Sequence, residues 1–179
     1  MDFAKTTMAF EGSRVTLHTM EDRDATEQYV GWLNDPEVNR YLGTKHATIQ
    51  ELRDYIGQKD LQPNALFFGI FLKQDGMHIG TVKLEPIEPE KKCATIAVLI
   101  GEKTCWGKGY AAEAMQVLID WCFRTLGFDE MNLGVIAKNA AAIRAYQKLG
   151  FREVKRDLGY VRYGDELHDQ VWMTLTCPA

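Results

Sequence analysis

The apolar run at residues 94–100, followed by a short polar loop and then Gly107-Lys108-Gly109 ahead of an amphipathic stretch, constrains this chain more than any other feature. It reads as a strand, a loop and a pair of glycines opening a helix. At a helix start the first backbone N–H groups lack intrahelical partners, and Gly-x-Gly lets several of them converge beside the positive end of the helix dipole. Such a turn is an anion cradle suited to a pyrophosphate. The near-continuous apolar character of residues 94–100 predicts a strand buried on both faces.

The stretches around this element follow from periodicity and turn chemistry. Residues 109–126 place Ala111, Met115, Leu118, Ile119, Cys122 and Leu126 on one helical stripe, with Gly127 as its left-handed stop. Residues 131–137 read as a strand, and Asn139 caps a shorter helix ending at Leu149 and Gly150. Strand, helix, strand and helix in succession imply a parallel crossover. Upstream, residues 14–18 suit a strand and residues 21–33 a helix stopped by Asn34-Asp35-Pro36. Residues 37–44 suit a short helical turn, and residues 48–58 a second helix in which Thr48 and Glu51 form a capping box.

Residues 65–73 and 78–85 form a hairpin around Asp75-Gly76, and Pro86 and Pro89 make residues 86–92 a loop. Residues 151–162 and 166–176 form a closing antiparallel pair around Tyr163-Gly164-Asp165. The expected architecture is α+β: a mixed, mostly antiparallel central sheet of six to seven strands with helices on both faces. A single domain spanning residues 1–179 is expected, with the first 10–13 residues as a loose arm.

Composition narrows the function classes. With 46% apolar residues in 179, the chain can bury a core on both faces of a sheet. A formal net charge of -4, with Lys and Arg scattered, disfavours nucleic acid as a partner. Cys93, Cys105, Cys122 and Cys177 show no Cys-x-x-Cys pair and no histidine at ligand spacing, so no metal and no disulfide framework are expected. A reduced, cytoplasmic setting follows from that cysteine usage. No segment approaches the roughly 20 apolar residues of a membrane span.

Residues 107–112 also satisfy the loose dinucleotide pattern Gly-x-Gly-x-x-Gly/Ala. That fold places an acidic residue at the end of the next strand, where this chain has Ile136-Ala137-Lys138-Asn139. The second constellation, from Asn139 through Ile143-Arg144-Ala145-Tyr146 to Gly150-Phe151, points elsewhere. Together with Trp106-Gly107-Lys108-Gly109-Tyr110-Ala111, it resembles the two signature motifs of the GNAT superfamily of acyl-CoA-dependent N-acetyltransferases. The order of elements along nearly the whole chain is similar too. Trp106, where many members have Arg or Gln, resembles the branch of ribosomal-protein N-terminal and amino-sugar acetyltransferases.

The resemblance implies roles residue by residue. Val98, Leu99 and Ile100 would lie where the strand splays from its neighbour at a bulge, binding the pantetheine arm and acetyl carbonyl of acetyl-CoA. The pyrophosphate would rest on the amides of Trp106, Gly107, Lys108, Gly109, Tyr110 and Ala111. Asn139 would touch the cofactor and Tyr146 its sulfur. The implied reaction is acetyl transfer to a primary amine of a small molecule such as an amino sugar. A protein N-terminus as acceptor and a non-catalytic acyl-CoA-binding domain are the alternatives, as a monomer or a homodimer.

The chemistry of such a transfer needs three things: a deprotonated amine, donors for the charge that develops on the carbonyl oxygen, and a proton for the departing thiolate. Tyr146 suits the last, although its spacing from Ile143 equally fits a core aromatic. Glu85, sharing a strand face with Lys83 and Thr81, is the candidate base; His168, Asp169 or a chain of waters are the alternatives. His78 reads as a surface histidine and Cys105 as a packing residue. Trp32, Asn34, Asp35, Asn39 and Tyr41 are candidates for acceptor recognition, with packing as the alternative for the two aromatics.

Overall fold

The computed structural model describes residues 1–163 and 166–178. Eight strands form one sheet in the order β1-β2-β3-β4-β5-β6-β8-β7. The strands are β1 (Ala9–Glu11), β2 (Val15–Thr19), β3 (Leu66–Leu72), β4 (His78–Glu88), β5 (Cys93–Ile100), β6 (Glu130–Ile136), β7 (Arg152–Tyr163) and β8 (Glu166–Thr176). Every neighbouring pair is antiparallel except β5 and β6. The sheet has one strand more than the pattern predicts because residues 9–11 pair with β2. The expected loose arm is therefore docked, and Phe3 is buried against Trp121.

Four helices cover the sheet: α1 (Glu27–Asn34), α2 (Ile49–Asp60), α3 (Tyr110–Arg124) and α4 (Ala140–Lys148). The helix expected at residues 21–33 starts later, because Glu21 and Asp24 cap a single 3₁₀ turn and Thr26 then caps α1. The Thr48–Glu51 capping box forms as expected. On one face Met115, Leu118, Ile119 and Cys122 of α3 join Leu17, Phe68, Leu84 and Ile96 in the main core. On the other, Tyr29, Trp32, Leu52 and Ile56 from α1 and α2 enclose Met20 and Phe67.

Three departures from the sequence reading have local causes. Strand β4 runs through Pro86, which the pattern assigns to a loop. The register with β5 slips between Leu84 and Ile87, so the proline occupies a bulge, a position that needs no ladder N–H. His78 is buried, not superficial, stacked on Phe71 at 4.6 Å with its Nε2 bonded to the Gly80 carbonyl at 2.9 Å. The end of β5 is not buried on both faces, since Ala97 is exposed and Val98, Leu99 and Ile100 are half-buried. Of the expected closing turn, Tyr163 ends β7, while Gly164 and Asp165 lie outside the described residues.

Candidate active site

Strand β5 pairs with β6 only at Cys93, Ala94 and Thr95, although both strands run on beyond those pairs. The sheet therefore opens between them, and the β4 bulge lies across from the point where it does. The Gly101 amide turns toward β4, donating to the Ile79 carbonyl at 2.9 Å. Alternation along an extended strand then commits the peptide groups of Leu99 to β4 and turns those of Val98 and Ile100 to the open edge. Of the three residues that the resemblance puts there, Leu99 serves the ladder opposite Thr81. Val98 and Ile100 supply the free edge.

The loop after β5 completes the arrangement. Gly107 and Gly109 take φ values of +72° and +82°, a conformation costly to residues with a Cβ. Among the described residues, the amides of Gly107, Lys108, Gly109, Tyr110, Ala111 and Ala112 make no hydrogen bond, while the Trp106 amide is already bonded to the Lys103 carbonyl. The run of unbonded amides is therefore displaced by one residue from the span expected for the cradle. Trp106 contributes by its indole, which donates to the Ile100 carbonyl at 2.7 Å and ties the loop to the open edge.

A residue that sequence reasoning missed braces this loop from behind. Arg14 donates to the Lys108 carbonyl at 2.9 Å, pairs with Glu113 at 2.8 Å and covers the Tyr110 ring. Glu113 also receives the Arg14 and Val15 amides. Burial opposes its charge, but these donors keep its carboxyl below the usual range. No local pattern links β2 to α3, so the pairing was invisible in the sequence.

Asn139 caps α4, its Oδ1 accepting the Ala142 amide at 3.2 Å, and its NH₂ is left free among the described residues. Tyr146 packs against the same core as Val98, Ile100 and Tyr110 and meets Phe151 edge-on at 6.3 Å. Burial pushes its phenol up to about 12.

On the face covered by α1 and α2, a cavity of about 530 Å³ opens against β4 and β5. Leu33, Leu42, Leu52, Tyr29, Tyr55 and Phe67 supply large apolar and aromatic side chains to its wall, and Ala97, Val98 and Leu99 bring it to the splayed edge. Thr81 and Lys83 line it, but Glu85 does not. Glu85 is clamped by Lys59 at 2.5 Å and Lys83 at 2.9 Å. Burial alone would raise its carboxyl, yet the two ammonium groups hold it below the usual range. A carboxylate held that way accepts protons poorly, which argues against the base role expected for it.

The other candidates from the sequence are engaged in packing, hydrogen bonds or ion pairs. Trp32 is buried against Tyr29 and His78. Asn34 bonds both backbone groups of Ala47, and Asn39 donates to the Leu33 and Lys45 carbonyls. Asp35 pairs with Lys103 at 2.8 Å. Tyr41 donates to the Lys138 carbonyl at 3.2 Å. Asn34 and Asn39 thereby hold the loop in which Leu42, Gly43, Thr44, His46 and Ala47 line the cavity. His168 is buried 3.4 Å from Glu166, and Asp169 accepts the Gly159 amide at 2.9 Å. Cys105 is buried, in keeping with a packing role. Among the described residues, no His, Cys, Asp and Glu group has the makings of a metal site, and no helix is long and apolar enough to cross a membrane.

A strand pair splayed beside a glycine-opened helix, with amides turned to the opening from both, is the arrangement that the resemblance to acyl-CoA-dependent acyltransferases implies. The Acetyltransferase (GNAT) domain profile matches residues 14–152, so the chain belongs to the GNAT family of acetyl-CoA-dependent N-acetyltransferases. An uncharacterized N-acetyltransferase, p20 of Bacillus licheniformis, is 33% identical over 144 residues, covering 78% of this chain and 80% of that protein. A GNAT-family acetyltransferase from Bacillus anthracis superposes with a TM-score of 0.82 at 19% identity, covering 94% of this chain and 98% of that one. Spermidine N-acetyltransferase from Vibrio cholerae, solved with CoA and spermine, superposes with a TM-score of 0.82 at 21% identity, covering 92% and 96%.

Proposed function

We propose that this chain transfers the acetyl group of acetyl-CoA to a primary amine of a small molecule held in the cavity between α1, α2 and the sheet. The observation that carries this reading is the junction at β5: Val98 turns its peptide group to the open edge while Ala97, Val98 and Leu99 together line the cavity. A volume of about 530 Å³ lies within the size range of small-molecule sites. The aromatic faces of Tyr29 and Tyr55 suit a ring-shaped acceptor, an amino sugar being one.

The roles follow from the free groups. The amides of Gly107 to Ala112 hold the pyrophosphate, with the Lys108 ammonium beside them, and the Asn139 NH₂ donates to the pantetheine arm. The amides of Val98 and Ile100 donate toward the arm and the acyl carbonyl, receiving the charge that develops on its oxygen. Tyr146 donates a hydrogen bond from its hydroxyl to the departing sulfur, which leaves as the thiolate. Glu85 positions Lys83 and takes no proton; the acceptor's proton leaves through water.

Thiol release from acetyl-CoA, followed with a panel of amino sugars, amino acids, polyamines and N-terminal peptides, tests this reading. Turnover is expected with small amines. Turnover with peptides alone would move the acceptor to a protein N-terminus, and none with any amine would leave an acyl-CoA-binding domain without this activity.

A further inference from the structure

The charge inside the acceptor cavity is lopsided. Lys83 stands opposite Ala97 and lines the cavity beside Thr81. Its ammonium donates to the Tyr55 hydroxyl at 3.1 Å and to Glu85 at 2.9 Å. An ammonium has three donors, so one is left over. Glu85 cannot neutralise it alone, because its other oxygen is taken by Lys59 at 2.5 Å. Two ammonium groups around one carboxylate leave a net positive charge at this wall.

That charge is durable. Burial works against the Lys83 ammonium, yet Glu85 and Tyr55 hold its pKa above the usual lysine value. The remaining titratable groups facing the cavity are Tyr29, whose phenol burial keeps neutral, Tyr55, His46 and Glu51. His46 and Glu51 sit at the exposed rim. The Glu51 carboxylate is engaged there by the Thr48 amide at 2.7 Å and its hydroxyl at 2.9 Å. The inner wall thus offers a fixed cation and no acid among the described residues that line it.

We propose that the acceptor carries an anionic oxyacid group, a carboxylate or a phosphate, which pairs with the spare Nζ–H of Lys83 while its amine faces Val98. Lys83 opposes the residue just before Val98, so one small molecule spans both points. The inference rests on the acetyl-transfer reading of this cavity and adds the charge of the acceptor. A polyamine brings only cations and meets a like charge at the inner wall, so this site is built against the acceptor that names the Vibrio cholerae neighbour.

Matched acceptors test it. Specificity constants are measured for an amino acid against its decarboxylated amine, for an amino-sugar phosphate against the free amino sugar, and for spermidine. Wild type, Lys83→Met and Lys83→Arg are compared, each with its melting temperature recorded with and without acetyl-CoA. The wild type is expected to favour the anionic member of one pair by roughly 10- to 100-fold in kcat/KM, and which pair responds tells carboxylate from phosphate. Lys83→Met should bring that ratio near one, with Lys83→Arg restoring part of it. Turnover with no preference, with a preference that survives in Lys83→Met, or best with spermidine would overturn the proposal and leave acetyl transfer intact. Absence of thiol release with every amine, from protein that acetyl-CoA still stabilises, would overturn the acetyl-transfer reading and this inference with it.

Discussion

Tyr146→Phe is expected to lower kcat by about 10²- to 10³-fold, the span that a preorganised hydrogen-bond donor to developing negative charge contributes. The KM for acetyl-CoA should stay nearly unchanged, because the ring keeps its contact with Phe151 and its place in the core. Steady-state kinetics of thiol release read both constants. With its phenol pushed up to about 12 by burial, Tyr146 stays protonated through the physiological range. A phenol held that way gives up its proton poorly; it supplies a hydrogen bond that strengthens as charge gathers on sulfur. An alkaline limb of kcat/KM below pH 10 must then belong to another group and should persist in Tyr146→Phe. The stability linked to the neutral phenol is fully present below its unfolded value near 10 and lost as pH rises toward 12. A variant with unchanged kcat would show that the ring only packs.

The second large effect is expected at the strand edge. Val98→Pro removes a single N–H that faces the opening between β5 and β6 and serves no ladder bond, so the fold should tolerate it. Losing one preorganised donor to a developing negative charge typically costs about 10²- to 10³-fold in kcat. Leu99→Pro is the contrasting variant: it deletes a bond to Thr81 inside the sheet and should lower stability while its neighbour loses activity. Chemical denaturation and thiol release on the pair separate the two outcomes. Equal loss of stability in both would mean that Val98 is an ordinary ladder residue.

The sequence carried the parts of this protein that depend on local chemistry. Gly107, Gly109, Gly127 and Gly150 all take positive φ at the turns read from them, and Asn139 and Thr48 cap the helices that they precede. Asp75-Gly76 makes the expected turn between β3 and β4. What the pattern missed depends on contacts distant along the chain. Arg14 and Glu113 meet only because β2 packs beneath α3, and Glu85 is disarmed by Lys59, which arrives from α2. The Trp32-Leu33-Asn34-Asp35 run looks like a binding surface, since aromatic and amide side chains serve sugars and loops alike. Only the bonds from Asn34 and Asn39 into the 45–47 loop show that, Leu33 aside, it frames the cavity and does not line it.

Residue-resolved amide hydrogen exchange with and without acetyl-CoA tests most directly whether the cosubstrate lies along the open edge and in the glycine cradle. In the free protein the amides of Val98, Ile100 and Gly107 through Ala112 should exchange quickly, and the Leu99 amide, held by Thr81, slowly. On adding acetyl-CoA those exposed amides should become protected while Leu99 changes little. Protection of Leu99 and Val98 alike before ligand, or a cradle that acetyl-CoA leaves unprotected, would contradict the account.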